Sequence, residues 1–186
     1  LVFYDEIEDL KILKEGSTTT SATVLHDLLR KLPSNLNIIF NLKDENKLNI
    51  TADNSKFNLL CLPTDNFPNF SDNFNGEELA LDSKKFLSVL NKTKFSMSND
   101  ETRHYLNGIF IHKTEINNKL FLTGVATDSH RLSSSSLLLE NVKNLKSFIL
   151  PKKTVFQLSN LLQENNQNVS MFVGEGKVQF KMGNSS

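Results

Sequence analysis

Residues 21–50 read SATVLHDLLRKLPSNLNIIFNLKDENKLNI, and the hydrophobic period changes halfway along them. In the first part Leu25, Leu28, Leu29 and Leu32 recur at i, i+3, i+4 and i+7, the spacing that lines one face of a helix. A Ser/Thr-rich lead supplies an N-cap and Pro33 discourages continuation, so the spacing predicts a helix over 22–32. In the second part LNIIFNL and KLNITAD alternate with period two across the polar turn KDEN, which is the pattern of an antiparallel hairpin. The local unit is a helix feeding a hairpin.

The same unit recurs 130 residues later. Laid without a gap over PKKTVFQLSNLLQENNQNVSMFVGEGKVQF (151–180), it pairs Leu25 with Val155, Leu28 with Leu158 and Leu32 with Leu162. It also pairs Ile39 with Val169, Leu42 with Phe172, Leu48 with Val178 and Ile50 with Phe180, which points to a domain-sized repeat. Pro151 suits the first turn of this later helix, whose inward residues are Val155, Leu158 and Leu162. A middle helix over 83–98 takes Asp82 as its cap and buries Phe86, Val89, Leu90, Thr93 and Met97. Between the helices KFNLLCL, GIFIHK and KLFLTGVATD alternate as strands, with INN and GEG as turns. Each helix is thus followed by about three strands, an α+β architecture with helices on one face of antiparallel sheet.

The bulk numbers narrow the class of protein. At 186 residues the chain holds one generous domain, or one domain and part of another. It opens without an initiator Met on LVFY, which reads as mid-strand, and stops at GNSS without a closing strand, so a truncated product is expected. No apolar run approaches the roughly 20 residues that span a bilayer, and LVFYDEIEDLK has neither a basic n-region nor a cleavage site. The expectation is a soluble, cytoplasmic protein with no membrane partner. Cys61, the single cysteine, lies in the apolar run NLLCLP and reads as a small buried hydrophobe.

Charge is balanced in total, 21 basic against 21 acidic residues, but it is not evenly spread. The three helices hold Arg30, Lys31, Lys84, Lys85, Lys92, Lys94, Lys152 and Lys153 against only Asp27 and Glu164, leaving 13 basic and 19 acidic residues elsewhere. Lys84, Lys85 and Lys92 fall opposite the apolar stripe of the middle helix. Lys84, Lys85, Lys152 and Lys153 lie in first turns, where the macrodipole disfavours cations by a few tenths of a kcal/mol each unless an anion is near. A phosphate backbone is such an anion.

Catalytic and metal chemistry finds little support. ATDSHRLS sets Asp128, Ser129 and His130 side by side, yet triad members meet from separate segments, and adjacent strand residues point to opposite faces. No G-x-S-x-G elbow is present. His26, His104, His112 and His130 show no H-E-x-x-H or H-x-x-E-H spacing, and the seven glycines form no phosphate-binding fingerprint, so no cofactor is expected. Asp100, Glu101, Arg103, His104 and Tyr105 share a polar loop before GIFIHK, a place where recognition often resides.

FSMSNDETRHYLNG (Phe95 to Gly108), then ATDSHRL (Ala126 to Leu132), then FILPKK from Phe148, closely resembles the middle domain of bacterial DNA sliding clamps, the beta subunits of DNA polymerase III. FNLLCLPTDNFPNF (57–70) resembles the end of the first clamp domain and the linker that leaves it. The resemblance covers nearly the whole chain. It implies a DNA-clamp fold of three similar domains, two subunits closing a ring with basic helices around the hole and sheets on the rim. The C-terminal half of domain one would occupy 1–71 and a nearly complete domain two 72–186, with the third domain absent.

The function implied is a non-catalytic processivity factor that encircles duplex DNA without reading sequence; the alternative is an adaptor of the same fold that works through protein contacts alone. On this likeness Arg30, Lys31, Lys84, Lys85, Lys92, Lys152 and Lys153 line the hole, while Arg103, His104 and Tyr105 form a loop near DNA. A client pocket for peptides with hydrophobic anchors maps to Tyr105, Leu106, Thr127, Ser129, His130, Arg131 and Leu132. Implied partners are double-stranded DNA, the DNA polymerase III catalytic subunit, the clamp loader, other clamp-binding polymerases or repair proteins, and a second copy in a homodimer ring. The chain departs from the family at His104, where tyrosine is common, at Asp100, where glutamine can occur, and at Ser129, where glycine is usual.

Overall fold

A computed structural model describes residues 2–8, 10–44, 46–67, 77–139, 145–164 and 168–183. The chain divides into two compact units, one of residues 8–72 and one of residues 73–186 together with 1–7. The linker reading of 57–70 extends to residues 68–70, which lie outside the described residues.

In the first unit the described elements are β1 (Thr19–Thr20), α1 (Ala22–Lys31), β2 (Ile38–Asp44), β3 (Lys47–Ala52) and β4 (Ser55–Leu62). The strands form one antiparallel sheet ordered β1-β4-β3-β2. Ser21 caps α1 by accepting from the Val24 amide at 3.5 Å, and the helix ends at Lys31, before Pro33. Between β3 and β4 the chain reverses through Asp53, at φ 50°, a left-handed conformation that Asp tolerates. Leu48, Ile50, Leu59 and Cys61 make the buried core, with Leu25, Leu28, Ile38 and Phe57 half-buried against it. Cys61 is indeed an interior hydrophobe.

The second unit is built on two antiparallel sheets. One is ordered β11-β10-β5, from β5 (Glu77–Leu81), β10 (Val169–Val173) and β11 (Val178–Lys181). The other is ordered β8-β7-β6-β9, from β6 (Gly108–Ile116), β7 (Lys119–Thr127), β8 (Leu132–Leu138) and β9 (Phe148–Pro151). Helix α2 (Ser83–Thr93) packs on β7 and β8, helix α3 (Lys152–Glu164) packs on β6 and β9, and the two helices touch. Both therefore lie on the same side of that sheet. Phe86, Val89 and Leu90 of α2 and Val155, Leu158 and Leu162 of α3 meet Ile109, Ile111, Leu122 and Leu150 of the sheet in one core. Gly124 of β7 lets α2 approach, because a Cβ there would stand 2.9 Å from Val89 Cγ1.

Several sequence expectations are refined. The middle helix stops at Thr93 rather than 98, because the Thr93 hydroxyl donates to the Val89 carbonyl at 2.8 Å and the chain tightens into a 3-10 turn over Lys94–Ser96. The stripe Phe86, Val89, Leu90, Thr93 and Met97 is nonetheless buried throughout. Pro151 ends β9 opposite Gly108 instead of entering the helix. INN does form the turn between β6 and β7, with Asn117 and Asn118 both at positive φ (51° and 59°), as a two-residue hairpin requires.

The repeat survives with a change of register. Helix α1 corresponds to α3, and β2 and β3 to β10 and β11, at the expected places in the chain. The gap-free pairing of Ile39 with Val169 fails, since Ile39 is exposed while Val169 is buried. In β2 the residues opposite the buried Ile50 and Leu48 are Phe40 and Leu42, whereas in β10 those opposite Phe180 and Val178 are Met171 and Val173. A register shift between Leu42 and Asp44 puts one additional residue into the first hairpin turn, which displaces β2 by one position against β10.

Candidate functional site

The helices of the second unit turn a basic face away from their core. Lys84, Lys85, Lys92 and Lys153 are exposed, and none pairs with an acid among the described residues. Lysines stand in the first turn of both helices, Lys84 and Lys85 of α2 beside the Asp82 cap and Lys152 and Lys153 of α3, so they add positive charge at the positive ends of the dipoles. The start of α3 is tied to the end of α2: Lys152 donates through Nζ to Asn99 Oδ1, and Lys94 Nζ lies 5.9 Å from the Phe156 ring centroid. In the first unit Arg30 and Lys31 are exposed in the last turn of α1, where the dipole favours cations.

A second cluster joins the loop 99–107 to the turn between β7 and β8. The Asp100 carboxylate accepts from the Thr102 hydroxyl at 2.6 Å, the Thr102 amide at 3.0 Å and Arg103 Nε at 2.7 Å. Those bonds, with the adjacent guanidinium charge, lower its pKa to about 2. Arg103 also donates from Nη1 to Ser129 Oγ at 3.1 Å. Across the turn, Asp128 Oδ1 accepts from the amides of Arg131 and His130, both at 3.0 Å, while Oδ2 accepts from Arg131 Nε at 2.9 Å. The Asp128 carboxyl is accordingly held below its ordinary pKa, chiefly by the Arg131 amide and then by the His130 amide. The Thr127 hydroxyl closes the turn by donating to the Arg131 carbonyl at 2.7 Å.

These bonds leave no triad. Asp128 serves backbone amides and Arg131, and Ser129 accepts from Arg103, so Ser129, His130 and Asp128 form no relay. Around the cluster Tyr105 and Leu132, each 67 % exposed, offer large apolar surface, Leu106 is half-buried, and His104 and His130 are exposed. Sequence reasoning overlooked Phe95. It is 58 % exposed, with the Arg131 guanidinium 5.8 Å above its ring. The signal was its place off the Phe86, Val89, Leu90, Thr93 stripe, which turns it outward. Ser133 reinforces the junction by donating to the Thr93 carbonyl at 3.1 Å.

Among the described residues no three of His, Cys, Asp and Glu gather into a metal-binding group, and no helix is long and apolar enough to cross a membrane.

Comparison with known proteins bears on both features. The family model for the DNA polymerase III beta subunit, central domain, matches residues 80–186, and that for its N-terminal domain matches residues 2–71. Among curated relatives, the beta sliding clamp of Caulobacter vibrioides is 32% identical over 157 residues, covering 79% of this chain and 42% of its own length. That of Rickettsia felis is 38% identical over 152 residues, covering 80% of this chain and 38% of its own. The solved Caulobacter crescentus pol III beta superposes with a TM-score of 0.87 at 32% identity, over 94% of this chain and 47% of that one. A sliding clamp from Bartonella birtlesii, bound to griselimycin, gives 0.87 at 33% identity, over 95% and 47%. The chain thus spans about two fifths of the curated relatives' length. With both family models matched in order and the fold shared, the chain belongs to the DNA polymerase III beta subunit family, the bacterial sliding clamps.

Proposed function

We propose that the chain is part of a non-catalytic processivity factor that encircles duplex DNA and tethers a replicative polymerase to it. The observation that carries this reading is the basic face of α2 and α3: Lys84, Lys85, Lys92 and Lys153 point outward and are unpaired with described acids, on the side of the helices away from the sheets. Such a face suits phosphates of any sequence and reads no bases. Lys152 extends the DNA-facing set of this unit, Arg30 and Lys31 of α1 are the DNA-facing residues of the first unit, and Arg103, His104 and Tyr105 supply the loop that approaches the duplex. Residues 1–71 represent the C-terminal half of a first clamp domain, although 1–7 group with the second compact unit, and 72–186 represent a nearly complete second domain.

Client proteins dock through Tyr105, Leu106, Thr127, Ser129, His130, Arg131 and Leu132. Exposed Tyr105 and Leu132 provide apolar surface, and the turn between them is held by Asp128. An anchor side chain buried there gains roughly 25 cal/mol per Å² of apolar surface removed from water. The partners are the catalytic polymerase subunit, a clamp loader and other clamp-binding polymerases or repair proteins. A second copy completes the ring, and the protein works in the cytoplasm.

The test loads the complete gene product that carries this chain onto nicked circular duplex with a clamp loader. Retention on the circle, followed by loss once the DNA is linearised, is the expected result. A protein that binds polymerase but never stays on circular DNA would instead be an adaptor.

A further inference from the structure

Resting on the docking reading above, we infer that Ser129 is a positioning residue for the peptide pocket, acting through Arg103. The pocket is lined by two segments far apart in sequence, the turn over His104–Leu106 and the reversal between β7 and β8. Arg103 immediately precedes the first, and Ser129 is the tip of the second. Among the described residues, the bond from Arg103 Nη1 to Ser129 Oγ, 3.1 Å long, is the side-chain hydrogen bond that joins them.

Both ends of that bond are braced. Arg103 Nε is held by Asp100 at 2.7 Å, which fixes the plane of the guanidinium and so the direction of Nη1. On the other side, the Ser129 amide donates to Thr127 Oγ1 at 3.2 Å, and the turn is closed by the bonds of Asp128 to His130 and Arg131. Ser129 itself stands at φ 80°, a region that favours glycine. A serine there accepts backbone strain, and the hydroxyl it contributes is the acceptor that Arg103 uses. Glycine would suit the backbone better but leave Nη1 without this partner. The strained serine thus sets the spacing between Tyr105 and Leu106 on one wall and Thr127 to Leu132 on the other.

The test measures binding of a fluorescein-labelled short peptide bearing leucine and phenylalanine anchors to the complete protein. Wild type is compared with Ser129→Gly, Ser129→Asn, Arg103→Lys and the Ser129→Gly/Arg103→Lys double variant. Removing either partner should weaken binding about five-fold, as expected for the loss of one typical solvent-exposed hydrogen bond, with the double variant no weaker than the singles. Asn tolerates the left-handed region and carries a side-chain acceptor, so Ser129→Asn should restore the affinity to within about two-fold of wild type. That rescue separates positioning from a general effect on folding, since Ser129→Gly relieves strain. Wild-type affinity in Ser129→Gly, losses that multiply in the double variant, or a failed rescue by Asn would each overturn the inference while leaving peptide docking intact. A wild-type protein that does not bind the peptide would overturn the docking reading as well.

Discussion

Asp100 shows how one side chain sets the character of a loop. Its carboxylate is bonded by Thr102 and Arg103 in the folded chain, and its pKa falls from 3.8 to about 2. A depressed carboxylate pKa stabilises the fold fully above the unfolded value and loses that contribution as pH drops through the folded one. Wild type should therefore outlast Asp100→Asn in thermal melts above pH 4, with the gap closing between about pH 4 and pH 2. A gap independent of pH would mean that the bonds matter only through their geometry. Two glycines in the sheet make a different residue-scale claim. A Cβ on Gly108 would lie 2.5 Å from the Leu150 backbone oxygen, whereas one on Gly124 would meet the Val89 side chain at 2.9 Å. Val89 is stiff at χ1 in its helix, so the second contact is relieved by a small shift of α2, whereas the first needs paired strands to move apart bodily. Chemical denaturation should show Gly108→Ala losing about 3 kcal/mol and Gly124→Ala about 1 kcal/mol, the span usual for overpacking.

Among the elements, α1 and α2 differ in how firmly they begin. Asp82 accepts from the Lys85 amide at 2.9 Å, while Ser21 accepts from Val24 at the long distance of 3.5 Å. Asp82 also opposes the unfavourable dipole contact of Lys84 and Lys85 in the same turn. Asp82→Ala should cost about 1 kcal/mol in urea unfolding and Ser21→Ala only a few tenths. Equal losses would show that cap geometry is not decisive. The helices were readable in advance because Phe86, Val89 and Leu90, or Val155, Leu158 and Leu162, are large apolar side chains at a period that only a helix brings onto one face. Strands β3, β6 and β7 were readable from alternation. Strand β8 was not, because Ser133 to Ser136 carry no hydrophobic alternation; the strand exists because β7 pairs with it and the Thr123 and Ser136 hydroxyls meet at 2.8 Å. The repeat was visible, but the one-residue shift between Leu42 and Asp44 was not, since a bulge leaves no mark in composition. The basic face followed from helix geometry alone. The Arg103 to Ser129 bond did not, because it joins residues 26 apart through a positive backbone φ at Ser129 that a serine in the sequence does not announce.

For the whole molecule, zero net charge conceals a division between basic helices and acidic strands and loops. That division suits the proposed function, which requires holding DNA without gripping it. In the proposed ring, contacts spread over several lysines allow phosphates to be exchanged one at a time, and retention comes from enclosure instead of affinity. The two contributions separate experimentally by their response to salt and to topology. Affinity for a short linear duplex, which nothing holds topologically, should fall steeply with salt, with a slope of about 0.9 per phosphate neutralised. Changing Lys84, Lys85, Lys92 and Lys153 to Ala should flatten that slope by about one unit for each lysine that meets a phosphate, with similar losses on duplexes of unrelated sequence. An unchanged slope would mean that this face looks away from the duplex. A slope that changes on one sequence and not on another would mean that the helices read bases, which a freely sliding ring cannot do.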